Sequence, residues 1–464
     1  MLSNKIIFEK PKVYLIAWTQ GRKIGRKDKE TGRIISYNKL GPDEIAGYAA
    51  LGDRSKEPMY TLWKEDAKNI SKESIRKKID RIIESSFGLG HGSVGDPPKF
   101  IFSIENLTRA ATLQLTGPEY LEHEQQSMRF VTAERGYYVP ESLREPEIFE
   151  SVRETMDYSF LTYKTMVENG IPTQDARFIL PLCSKTNIST AANERELQHL
   201  HAMNGQGEVP SYVKYVVENM IGESKKVAPS LSRKMKANYE ILAWRPSTQL
   251  YSSENETIER LIEELGSETS FVDESSIPMT EREIHKAVVN KEEPYLSNLK
   301  HFHYTFLIPL SVAGNHQLRR QRTLHLADQS IYQAVEREEI VTPPSIRISS
   351  FSGDYLDMNR RMFKLYNDLI ETGVERSEAI GLIPHSTKIR SLIDVDGHNV
   401  IHFIGKRRCT TAQWEIRNEA ERIAEILKKE LDSPLSKYAV PQCGTYGYCP
   451  EKEPCALIEK FKIN

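Results

Sequence analysis

Residues 317–330 read QLRRQRTLHLADQS, with Arg320 and Arg322 one residue apart, Gln317 just before them and Ser330 eight residues after the second. Each guanidinium offers five donors in a planar fork that matches phosphate, so an Arg-x-Arg pair suits an anion clamp. The same pair also suits a solvated face or a structural ion-pair site. What gives the stretch weight is a second, altered copy of it elsewhere in the chain.

Shifting the sequence by 203 residues lays Gln114-Leu115 on Gln317-Leu318, and Gln126-Ser127 on Gln329-Ser330. Pro140 then falls on Pro343, Ala176 on Ala379, Pro181 on Pro384, Lys185 on Lys388 and His199 on His402. The register needs no gap from about Thr108 to Lys214. With a slightly different shift, ILAW at 241–244 echoes LIAW at 15–18. A long-period repeat of this kind sets the architecture before any element is assigned. The reading is α+β, as two tandem copies of one unit over 1–230 and 231–464.

Composition narrows the classes. The 464 residues carry 63 Lys and Arg against 65 Asp and Glu. That balance argues against broad nucleic-acid binding, where a basic surplus is expected, yet leaves room for a local cationic pocket. No apolar run approaches the ~18 residues of a membrane span, and the N-terminal stretch lacks a signal-peptide pattern. Five cysteines, an odd number, fit a reducing compartment better than a disulfide framework. The expected location is cytoplasmic.

Along the chain, Val13–Thr19 reads as a buried strand and Arg22–Arg33 as a solvated loop. A short helix is expected near Pro42–Leu51, an amphipathic helix over Ser71–Ser85, and a strand or helix start at Phe100–Ile104. Ala412–Leu431 is a strong helix with a Trp414, Ile416, Ala420, Ile423, Leu427 stripe, read as core. His199 and His402 sit in apolar contexts and read as core histidines. Cys443, Cys449 and Cys455 form C-x5-C-x5-C, which lacks the usual C-x2-C knuckle and an evident fourth ligand, so no metal is assigned.

At these residues the chain resembles the flavin-dependent thymidylate synthases, whose signature is Arg-His-Arg, seven residues, then Ser. Here Arg320-Gln321-Arg322 and Ser330 follow that pattern with Gln for His. AQWEIR at 412–417, DARFILP at 175–181 and NERELQH at 193–199 are similar to other stretches of the family. The resemblance implies the family fold twice over, a mixed sheet flanked by helices forming a pseudo-dimer. Two such chains would make a pseudo-tetrameric homodimer.

The copies depart from the pattern in complementary ways. The first reads Gly117-Pro118-Glu119 at the clamp but keeps Ser127, Arg129 and Arg177. The second keeps Gln317, Arg320, Arg322 and Arg407, with Tyr332 and Ile380 opposite Arg129 and Arg177, while Asn204 stands opposite Arg407. Carried over from the family, Gln317, Arg320, Arg407, Ser127, Arg129 and Arg177 make one dUMP site, with Arg407 as the activating cation. The reciprocal set has lost every arginine, and Arg319, outside the set, is expected to matter little for binding.

The resemblance further implies FAD held by Arg320, Gln321, Arg322, His91, Ser93, Asn193 and Arg195. The implied reaction is reductive methylation of dUMP to dTMP with methylene-tetrahydrofolate and NADPH. It needs no cysteine nucleophile, so Cys183 and Cys409 read as packing residues. The alternatives are a flavoenzyme of the family acting on another pyrimidine nucleotide, and a non-catalytic nucleotide-binding paralogue.

Overall fold

The computed structural model describes residues 4–234, 250–266, 268–461 and 463. The ILAW echo at 241–244 lies outside the described residues. The chain folds into two compact units. One comprises Met1–Asp157, Pro181–Ser247 and Asp368–Leu382; the other comprises Tyr158–Leu180, Thr248–Asn367 and Ile383–Asn464. Each unit is therefore mostly one repeat plus a short segment of the other.

In the first unit a four-stranded sheet runs β1 (Lys12–Trp18), β4 (Lys99–Thr108), β6 (Lys185–Asn193), β5 (Glu122–Gln125). β4 alternates, burying Phe100, Phe102 and Ile104 on one face, as a strand with one face on a core must. Helix α1 (Pro42–Asp53) packs on α2 (Lys72–Glu84), which buries Ile75, Ile79 and Ile83 at helical spacing. Ser71 caps α2 by accepting from Ser74 N–H at 3.1 Å. Gly47 lets the two helices close up, since a Cβ there would lie 2.7 Å from Ile79 Cδ1. Beyond β4 come α3 (Arg109–Leu115), the long α4 (Pro146–Glu168), of which the part up to Asp157 counts with this unit, and α5 (Glu194–Asn204), the last capped by Asn193.

The second unit repeats this plan. Its sheet runs β7 (Ser270–Ser275), β8 (His303–Ser311), β10 (Lys388–Asp396), β9 (His325–Asp328). Helix α6 (Val312–Leu318) follows β8 as α3 follows β4, α7 (Ser352–Glu371) answers α4, and α8 (Gly397–Arg407) follows β10 as α5 follows β6. β5 and β9, β6 and β10, α3 and α6, α5 and α8 each begin 203 residues apart. The core is lined by Phe306, Ile308, Leu310 and Ile393 from the sheet and by Ile416 and Ile423 from α9 (Trp414–Lys429).

Four expectations change. Both four-stranded sheets are antiparallel in every pairing rather than mixed. Lys12–Trp18 is an edge strand with one face to solvent, where the alternating Tyr14 and Ile16 stay 46 % and 58 % exposed instead of buried. The charged stretch after it is a hairpin, β2 (Lys23–Lys27) on β3 (Ile34–Lys39), closed where Asp28 accepts from Thr31 N–H at 2.8 Å. His199 is buried, but His402 is exposed on α8. No helix among the described residues is long and apolar enough to cross a membrane.

Candidate functional site

The second unit holds the clamp. Ser311 ends β8 and caps α6 through Gly314 N–H at 2.9 Å, and α6 delivers Gln317 and the arginines from its C-terminal end. Glu415, at the start of α9, accepts from Ser311 N–H at 2.5 Å and from its hydroxyl at 2.7 Å. Gly314 permits that approach, because a Cβ would lie 2.7 Å from Glu415 Oε2. Burial pushes the Glu415 carboxyl up to about 6, opposed by the Ser311 bonds and by the charges of Arg177 and Lys388.

Around this frame stand the predicted residues. The Gln317 side-chain nitrogen is buried without a hydrogen-bond partner among the described residues, an arrangement that costs free energy unless a ligand acceptor meets it. Arg407, at the end of α8, lies with Nη2 3.5 Å from the Gln317 carbonyl oxygen. Arg320 is exposed.

Arg177, though from the first repeat, belongs to this same unit. It is buried, donating from Nε to Gln174 O at 3.0 Å. Its segment is tied to α9, where Trp414 Nε1 donates to Asp175 Oδ1 at 2.9 Å and stacks on Phe178.

Arg319 differs from its neighbours. It is buried against Asp328 at 2.5 Å and donates to Asn315 Oδ1 at 2.7 Å. Asn315 and Ser391 in turn bond Asp328 Oδ1 at 2.9 and 2.6 Å. Residue type and spacing alone carry no sign of this network. Arg319 thus has a structural task, a buried guanidinium holding a buried carboxylate in place, which leaves the expectation of little effect on binding untouched.

Gln321 is buried too, donating to Thr323 Oγ1 at 3.1 Å and lying 3.0 Å from His402 Nδ1. Partial burial first, then Lys406, His398 and Arg407, hold the His402 pKa below its ordinary value. A neutral ring leaves Nδ1 free to accept from the amide. Only Arg320 and Arg322 of the signature triplet face outward.

In the first unit the corresponding positions are closed on themselves. Gln114 is buried and donates to Asn204 Oδ1 at 3.5 Å, and Ile380, fully buried, belongs to this unit. Ser330, the serine of the second copy, is buried and donates to Ser252 O at 2.6 Å.

Ser127 instead lines a pocket of about 490 Å³ with Gln126, Arg135, Asn106, Glu134 and Lys185. Burial draws the Lys185 ammonium down to about 8. Arg129 is half-buried, its guanidinium 5.4 Å from the Phe130 ring centroid.

His91 and Ser93 are exposed on the turn around Gly92–Gly95. Asp96, which the sequence reading passed over, joins them to the other predicted stretch. It accepts from Asn193 Nδ2 at 3.3 Å and from Arg195 Nη1 at 3.2 Å. An acidic residue five positions after the histidine, opposite Asn-x-Arg, is the only sequence trace of that link.

Residues 33–230 and 238–432 both match the family model described as thymidylate synthase complementing protein. The chain belongs to that family and carries its domain twice. It is 32 % identical over 177 residues to the flavin-dependent thymidylate synthase of Pyrococcus furiosus, covering 37 % of this chain and 68 % of the relative. The enzyme of that name from Thermococcus onnurineus is 28 % identical over 201 residues, 42 % of this chain and 78 % of the relative. The one from Geobacter sulfurreducens is 32 % identical over 162 residues, with 33 % and 68 % covered. Among solved structures, a UMP/dUMP methylase from Streptomyces cacaoi bound with 5-Br dUMP aligns at a TM-score of 0.36 and 16 % identity. That alignment covers 50 % of this chain and 96 % of that one.

Proposed function

We propose that the chain is a flavin-dependent thymidylate synthase, methylating dUMP to dTMP with methylene-tetrahydrofolate and NADPH, at one nucleotide site per chain. Family membership makes it a methyl-transferring enzyme. The observation that carries the nucleotide reading is the unmatched side-chain amide of Gln317, whose backbone carbonyl oxygen Arg407 approaches, in a compact unit that also holds Arg320 and takes Arg177 from the other repeat. Three cations and a free donor suit a dianionic phosphate and the uracil carbonyls.

Arg407 is assigned the activating role, since a cation at a carbonyl oxygen stabilises charge as C5 becomes nucleophilic. By the family resemblance Ser127 and Arg129 are further proposed to contact dUMP, from the same chain or from a second copy of it. Bound FAD would supply hydride transfer, which no side chain can. Arg320, Arg322, His91, Ser93, Asn193 and Arg195 are the residues proposed to hold it. Gln321 is left to position the loop through His402.

Calorimetric titration with dUMP tests the site. Arg320→Ala and Arg407→Ala are each expected to weaken binding by tens-fold or more. Unchanged affinity in both would overturn the assignment. Failure to release tritium from 5-tritiated dUMP, with folate donor and NADPH supplied, would refute the reaction. Binding without release would favour the non-catalytic paralogue.

A further inference from the structure

Four of the five cysteines gather at one place. Cys409, two residues beyond α8, and Cys443, Cys449 and Cys455 of the tail all line a single cavity of about 30 Å³. That is room for one or two water-sized species and for no organic ligand. None of the four is in a disulfide, and Cys443 is buried and the others partly so. The spacing C-x5-C-x5-C offered no fourth ligand in the sequence, and Cys409 was read as a packing residue. The fold brings it in from 34 residues upstream.

Charges of both signs surround the cavity, Glu451 and Glu453 among them. Lys406 lines the same cavity, and Arg408 donates to Glu421 Oε2 at 2.7 Å and to Ala439 O, fixing the loop that carries Cys409 against the chain leading into the tail. Burial first, then the neighbouring Cys449, Cys455 and Cys409, raise the Cys443 pKa above its usual value, so the four cysteines lie within electrostatic reach of one another. Pro441, which precedes the short helix Gln442–Tyr446 that carries Cys443, and Pro450 line the cavity.

As the side chains stand, no three His, Cys, Asp or Glu among the described residues already form a metal-holding group. Cys409 Sγ, for example, rests 3.2 Å from Thr411 Oγ1. Binding would therefore turn the thiols inward and couple metal uptake to closure of the tail.

We propose that Cys409, Cys443, Cys449 and Cys455 form a tetrathiolate site for one soft divalent cation, zinc in the ordinary case. Four sulfur ligands at about 2.3 Å in a tetrahedron leave no open position, so the site is structural. Its work is to clip the C-terminal tail to the loop that follows α8.

Elemental analysis of the full-length protein, purified under reducing conditions, should find close to one zinc per chain. Metal-free protein titrated with Co²⁺ should give the thiolate-to-cobalt and tetrahedral ligand-field bands, saturating at one equivalent. Cys449→Ser and Cys455→Ser should each abolish those bands while circular dichroism stays at the parent level, and should speed proteolysis of the tail. A titration of the parent without these bands overturns the proposal. So does a mass under non-reducing conditions that shows the four cysteines paired as disulfides, or iron with acid-labile sulfide in place of a single ion.

Discussion

Arg319 and Arg320 are adjacent in sequence and opposite in circumstance. Arg320 is exposed, while Arg319 is sealed with Asp328, Asn315 and Ser391. Arg319→Ala would strand a buried carboxylate, a loss of roughly 3–5 kcal/mol, and is expected to lower the urea midpoint sharply. Arg320→Ala should leave that midpoint near the parent value while weakening dUMP binding. A variant pair with the reverse pattern would show the two roles to be exchanged.

The sequence could name both residues, because type and spacing are visible in it. It could not say which guanidinium turned inward, because that depends on Asp328 and Ser391 arriving from other strands. His402 was misjudged for the same reason. Flanking apolar residues describe a helix face only when the phase of the helix is known.

At the scale of elements, the start of α5 is sensitive to pH. Asn193 caps the helix by accepting from Glu196 N–H at 2.8 Å, and Glu194 beside it is fully buried, with Ser232 donating to Oε1 at 2.9 Å. Burial pushes the Glu194 carboxyl from 4.5 up to about 8, with the nearby Asp43 charge adding to the rise.

The folded state therefore holds a proton that the unfolded chain gives up between those values. Stability falls as pH climbs through that window and is lowest above it. Glu194→Gln removes the liability. It should melt above the parent at pH 8.5, by about 2–4 °C per kcal/mol gained, with the difference vanishing toward pH 5. A difference independent of pH would show that the carboxyl is ionised in the fold. Three helices, α1, α2 and α9, were legible from composition and periodicity, while the long α4 and α7 were not. The edge strand β1 was not, since its apolar composition matches that of a central strand and only the strand order exposes it.

For the molecule as a whole, the repeat was the most legible feature, and it survives to the residue: Tyr137 bridges Ser184 as Ile340 bridges Thr387, 203 positions on. If one nucleotide site was kept and one lost, calorimetry should find one dUMP per chain. Two equivalent sites per chain would refute the reading. The tandem arrangement is further proposed to give a homodimer standing in for a tetramer, and a mass of about twice 53.2 kDa by light scattering would agree with it.

What no pattern of residues announced was the exchange of segments, by which Tyr158–Leu180 counts with the second unit and Asp368–Leu382 with the first. In two separate identical chains, any substitution at one active site appears at every other. Once the copies are fused and interleaved, each can mutate independently, yet neither can be deleted, for its partner's fold is completed by its residues. Such a gene is free to let one pocket drift and is barred from shedding the half that carries it.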